Sequence, residues 1–239
     1  MSTLATIYTM VGDYVDEAVP RQWSMSQRLR AINRQYNHYY HLITMHAPWV
    51  VTDELAATWP ASTDTRTLTQ LGAALANTPM IRHVAPDADS WQQHGISIPK
   101  IPLSNIHEPW DLGDQISHFY TLENENFSLW PRPNESDSFG LTIGYVKAWV
   151  ALAATTDNLM TPVLFDAPIA LRAALDLWGQ LDTPQNQLWT VLHGPDPQGS
   201  PELGLHGTAL EWAQSNRQEE GEPMPSPAFE LTYDNVYSE

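Results

Sequence analysis

The sequence predicts an α+β fold, and three observations carry that expectation. Apolar residues recur at helical spacing near both ends of the 239-residue chain. Between them, short runs alternate apolar and polar residues and are punctuated by proline, the pattern of a small antiparallel β module. The closing stretch has too few apolar residues to pack a core of its own and reads as an extended tail.

Residues 3–19 carry Leu4, Ile7, Val11, Tyr14, Val15 and Ala18 near helical spacing, and Pro20 stops the run. A second helix starts after Ser24, which can cap it, with Gln27 at the third position of a capping box. Leu29, Ile32, Tyr36, Tyr40 and Ile43 trace its apolar face until Pro48 closes it. Two antiparallel helices joined by a short turn are expected to open the fold.

From Trp49 to about Val150 the character changes. "WVVTDELAATW" reads as a strand pair, or as a strand and turn, and a threonine-rich stretch follows it. "TPMIRHVAP" reads as a short strand, and the prolines of "GISIPKIPLSN" confine that segment to an edge or an extended loop. "SHFYTLENENFSLWPRP" gives two short strands around the turn "ENEN". "FGLTIGYV" is the next strand, with Leu141, Ile143 and Tyr145 on one side, and "NFSLWPRPNESDSFGLTIGYV" is expected to be a hairpin.

Helical pattern resumes at "MTPVLFDAPIALRAALDLWGQL", where Asp166 can cap, Pro168 suits the first turn, and Ile169, Leu171, Ala174, Leu175 and Trp178 form the apolar side. Residues 192–204 are rich in Pro and Gly and read as a loop. A further helix spans Leu205 to Glu219, with Leu205, Ala209, Leu210, Trp212 and Ala213 as its apolar positions. In the tail, three prolines precede Phe229, Leu231 and Tyr233, with Val236 and Tyr237 beyond, a pattern suited to adding a strand to a partner.

Composition narrows the function classes. A formal charge of −17 opposes binding to nucleic acid phosphates, although a negative wall suits a channel through which DNA must slide. The absence of cysteine removes disulfides, thiolate metal sites and cysteine nucleophiles together, and fits a reducing cytoplasm. The first residues carry acids where a signal peptide would be apolar, and no run approaches a membrane span, so a soluble protein without membrane association is expected. Ten tryptophans are more than an acidic domain of this size needs for its core, and suit interfaces as well.

Local chemistry is sparse. His38 and His41 share a helix face, but His46 lies roughly 140 degrees further round, so the three do not converge as ligands. "HEPWDLGD" offers His107, Glu108, Asp111 and Asp114 without calcium-loop spacing. His193 and His206 flank the Gly/Pro loop with no nucleophile-elbow serine, and that loop lacks the lysine of a phosphate loop. Arg21, Arg28, Arg30 and Arg34 are best matched by acids of the same fold or of a neighbouring subunit. Tyr36, Tyr39 and Tyr40 stand at a spacing that serves packing more often than stacking. No catalytic residue, metal site or cofactor is expected.

Read in order, three segments resemble the head-to-tail adaptor (connector or neck) proteins of tailed bacteriophages. "YVDEAVPRQWSMSQRLRAINRQYNHYYHLI" is similar to the family's opening helix, turn and second helix through Trp23, Ser24, Leu29, Ile32, Asn33 and Tyr36. "FYTLENENFSLWPRPNESDSFGLTIGYVKAWVAL" matches at Tyr120, Leu129, Pro131, Pro133, Leu141, Ile143, Tyr145 and Leu152. "TTDNLMTPVLFDAPIALRAALDLW" resembles the acidic loop, proline, aromatic residue and returning helix that follow. The resemblance covers about residues 1–180, and residues 85–118 and 181–239 extend the minimal pattern.

The resemblance implies a helical bundle built from N- and C-terminal helices with the β module inserted. Residues 1–48 would be the N-terminal helices of the adaptor core, 49–150 the β module, 151–220 the returning helices and 221–239 the extended C-terminal tail. It also implies a non-catalytic virion protein at the head–tail junction, assembled in the host cytoplasm. Such proteins form a homo-oligomeric ring, usually a dodecamer, beneath the portal protein. They bind a downstream neck or tail protein and pass genomic DNA through the lumen without specific binding. Candidate subunit or portal contacts are Trp23, Arg28, Arg30, Arg34, Tyr39, Phe229, Leu231, Tyr233 and Tyr237. The rival expectations are another neck or tail ring, a stopper or tail terminator, and a Trp-rich carbohydrate-binding module or hydrolase. The first is mostly β, and the second lines its aromatics on one face, whereas Trp49, Trp91, Trp149, Trp178 and Trp212 fall in different elements.

Overall fold

A computed structural model describes residues 2–15, 23–60, 63, 65–78, 80–86, 98, 100–101, 119–130, 138–179, 186–194 and 204–216. The chain is mixed helix and sheet, an α+β composition, and divides into two compact units. One comprises Met1–Ala47 with Leu152–Glu239, and the other Pro48–Ala151. The expected tail contacts Phe229, Leu231, Tyr233 and Tyr237 lie outside the described residues, as do His107, Glu108, Asp111 and Asp114.

The first unit contains helices α1 (Leu4–Tyr14), α2 (Met25–His46), α4 (Asp166–Gly179), α5 (Asn186–His193) and α6 (Leu205–Asn216). Thr3 caps α1 by accepting from the Thr6 amide, and the helix ends at Tyr14 with Val15 as its C-cap; residues 16–19 of the expected helix lie outside the described residues. Its apolar positions Leu4, Ile7 and Val11 are fully buried, as a three-to-four residue spacing requires. Contrary to the expected opening pair, α1 packs chiefly against α4 and only lightly against α2. The strand-like start of the chain is tied to the segment before α4: Leu4 and Ala5 donate to Asp157 and Thr155, and Leu159 donates to Ser2.

Helix α2 begins with the capping box expected of Ser24 and Gln27. The Gln27 amide donates to Ser24 Oγ at 3.3 Å and the Ser24 amide to Gln27 Oε1 at 2.8 Å, so two otherwise orphaned donors are satisfied. Ile32, Tyr36, Tyr39 and Ile43 then bury a continuous face. Asp166 is not the cap of α4 but lies in its first turn, after a 3-10 turn at Val163–Phe165, and it accepts a hydrogen bond from Ser2 Oγ. Helix α5 occupies residues 192 and 193, where a loop was expected, and α6 is described from Leu205 to Asn216, the expected residues 217–219 lying outside the described residues.

Among its described residues, the second unit holds two three-stranded antiparallel sheets and the short helix α3 (Leu68–Leu71). Strands β1 (Thr52–Trp59), β6 (Phe139–Val146) and β3 (Ile81–Pro86) form one sheet in that order. Strands β2 (Thr65–Thr67), β5 (Asn126–Trp130) and β4 (Phe119–Glu123) form the other. "WVVTDELAATW" is a 3-10 turn followed by a single strand, so of the two expected readings a strand with a turn holds and a strand pair does not.

The expected hairpin of residues 126–146 does not form: β5 pairs with β4 and β2, while β6 lies between β1 and β3. The physical reason is that both edges of β5 are taken, one by β2 and the other by β4 through the turn at Asn124 and Glu125. Both residues have positive φ, 47° and 70°, as a two-residue type I′ turn requires, and this closes β4 onto β5 directly. A core of Trp59, Leu75, Val84, Phe127, Leu129, Leu141 and Ile143 fills the unit. Within it the Phe127 ring stacks on Tyr120 at 5.0 Å and leans against Trp59 at 5.8 Å.

Candidate functional site

The most distinctive chemistry among the described residues lies along α2 and the helices that cover it. One stripe of α2 faces solvent, through Gln27, Arg30, Arg34, His38, His41 and Met45 at helical spacing. On a chain of charge −17 this stripe is basic, and acidic surfaces would meet it favourably. Arg34 is held in part by Asp176 of α4 at 3.6 Å, and Gln35 also donates to that carboxylate. Arg30 is exposed and makes no ion pair among the described residues.

The other expected contacts on this helix are placed differently. Trp23 is buried and meets Trp178 of α4 edge-on at 5.1 Å. Arg28 is 4% exposed and lies near Tyr8 of α1. Tyr39 is wholly buried. Trp23, Arg28 and Tyr39 are thus buried within the unit, whereas Arg30 and Arg34 are exposed.

Where α2, α4, α5 and α6 converge, three histidines gather that the sequence keeps far apart. Arg172 of α4 lies 3.0 Å from His38 Nε2, and Tyr39 Oη lies 3.0 Å from Nδ1 of His206, 167 positions away. His38 and His206 stack at 6.1 Å, His193 sits 5.7 Å from His206, and Trp189 covers His193 at 4.1 Å. Phe165 closes the group, edge-on to both Tyr39 and Trp212 at 5.7 Å.

Burial pushes the Tyr39 phenol up to about 12, against a smaller opposing pull from Arg172. Burial first, then the charges of Arg172, His193 and His38, depress His206 to about 4. Burial and Arg172 lower His193 as well, and burial, Arg172 and His41 lower His38. Among the described residues no group of three or more His, Asp or Glu is arranged to hold a metal ion. The cluster gathers three imidazoles, each shifted toward its neutral form, around the Arg172 guanidinium.

A second set of contacts joins the segments that were singled out by their resemblance. The side-chain amide of Asn33 donates to the Leu152 carbonyl at 2.9 Å and its oxygen accepts from the Leu152 amide at 2.8 Å. One turn later, Tyr36 Oη accepts from the Met160 amide at 3.0 Å. No protein-family model and no curated protein matches this chain. Its function rests on its own residues. Among those described, no helix is long and apolar enough to cross a membrane.

Proposed function

We propose that the chain is a structural head-to-tail adaptor of a tailed bacteriophage, one subunit of a closed ring that binds beneath the portal protein. The observation that best supports this reading is the meeting of the three resembling segments. Asn33 and Tyr36 from the first hold Leu152 of the second and Met160 of the third, so residues matched only by their order also make contact. On this reading the helices from both ends complete one bundle, the residue 48–151 unit is the inserted module, and the ring is a dodecamer.

The charge distribution agrees with the role. A closed ring needs a heterologous interface, in which one patch of each subunit meets a different patch of the next. The basic stripe carrying Arg30 and Arg34 on an otherwise acidic chain supplies one such patch. The surplus of acid suits a lumen that passes genomic DNA without holding it. Phe229, Leu231, Tyr233 and Tyr237 are the proposed contacts to a downstream neck or tail protein. No catalysis, cofactor or membrane enters this role, and the protein acts in the virion neck.

The experiment is a null allele in the phage that encodes the chain. Heads that fail to join tails, restored to tailed particles by supplying the chain in trans, are the expected result. A version lacking residues 222–239 should restore fewer tailed particles than the full chain. Normal yields of infectious tailed particles from the null would refute the assignment.

A further inference from the structure

We infer that His38, His193 and His206, gathered around Arg172 and Tyr39, form an acid-sensitive latch that holds α5 and α6 against α2 and α4 at neutral pH and releases them in acid. The latch is a property of this side-chain cluster and stands whether or not the chain is a ring protein. Hydrogen-bond geometry sets its resting state. A guanidinium can only donate, so the Arg172 contact at 3.0 Å requires His38 Nε2 to accept, and His38 is neutral with its proton on Nδ1. Tyr39 Oη lies 3.0 Å from His206 Nδ1 and can donate its proton to that nitrogen, and in this pairing His206 is neutral with its own proton on Nε2.

Protonation opposes this arrangement at each ring. A proton on His38 Nε2 would face the donor Arg172, replacing a hydrogen bond with repulsion between cations. A charged His206 would stand between His38 at 6.1 Å and His193 at 5.7 Å, beside the same guanidinium. The groups facing the cluster are His38, Tyr39 and His41 from α2, Arg172 from α4, His193 from α5 and His206 itself from α6. Among the described residues no carboxylate offsets the charge: Glu211 of α6 is exposed, and Asp176 of α4 is engaged by Gln35 and Arg34.

The sign follows from the depressed values. The folded imidazoles bind protons less readily than free histidine at 6.5, so the unfolded or released form takes up more protons in acid. The stabilisation is complete above the ordinary histidine range and is lost as pH falls from 6.5 toward the value of about 4 at His206. The loss is local. Helix α1, with Leu4, Ile7 and Val11 buried, packs chiefly against α4, while the release of α6 uncovers Phe165 and the buried side of Tyr39.

Hydrogen exchange read by mass spectrometry tests this on the full chain, with rates corrected for the intrinsic effect of pH. Between about pH 7 and about pH 5, peptides covering α5 and α6 should lose protection by roughly tenfold more than those of α1 and α4. In the double variant His38→Gln with His206→Asn, which keeps an acceptor at each bonded position without the titration, that extra loss should disappear. Equal loss in the variant and the natural chain, or no loss in the natural chain, would overturn the inference. Should the variant fail to fold, proton NMR titration of the natural chain decides. A His206 ring that titrates near 6.5 overturns the latch, and one that titrates well below that supports it.

Discussion

At the scale of single residues, Asn33 shows how one side chain organises a distant segment. Its amide matches a peptide group in both directions, so it takes the place of a strand partner for Leu152 and fixes where the chain re-enters the helical unit. Replacing Asn33 by Ala removes a donor and an acceptor together and leaves both Leu152 groups unpartnered. Urea titration of Asn33→Ala should therefore show a stability loss of about 1–3 kcal/mol. A loss below about 0.5 kcal/mol would mean that water replaces the side chain without cost. Asp157 anchors the same segment by accepting from the Ala153 and Ala154 amides at 2.7 and 2.8 Å. Those two bonds hold its carboxyl below the ordinary value, so this contribution is present at neutral pH and fades as acid protonates the group.

At the scale of elements, local signals were legible and partners were not. The capping box at Ser24 and Gln27 could be read directly because every atom it needs lies within one turn. The same signal stands at Thr67 and Gln70, where it starts α3, but it was hidden in a threonine-rich stretch that reads as loop. Alternation located β5 and β6 correctly as strands, yet it carries no information about which strand lies beside which. The turn that joins β4 to β5 was legible at "ENEN", whereas the pairing of β2 with the other edge of β5 joins distant residues and no local signal announces it. Substituting Glu125→Gly gives the turn its preferred Asn-Gly pair and should raise stability by about 1 kcal/mol. Thermal unfolding measures it, and a fall in Tm would show that the Glu125 side chain contributes more than its backbone strain costs. The histidine cluster was invisible for a different reason: its members are drawn from three helices and only the fold brings them together.

At the scale of the whole molecule, the insertion of one unit into another is the feature with the widest consequences. The inserted unit opens and closes on neighbouring strands, since Thr52 pairs with Val146 and the Lys147 amide donates to Val51. Among the described residues, its buried core runs from Ala57 to Tyr145, with Leu55 and Leu122 packed against it. Residues 48–151 expressed alone should thus fold and melt cooperatively, with near-ultraviolet circular dichroism from the packed Trp59, Tyr120 and Phe127 rings. A fragment without that signal would mean that the unit depends on the helices for its fold.

The most direct test of the adaptor role is electron cryomicroscopy of the purified chain mixed with portal rings from the same virion. The portal must be present because ring closure can require its template. The adaptor assignment predicts a closed ring of this chain, coaxial with the portal and open along its axis. A chain that stays monomeric and unbound beside intact portal rings would contradict it.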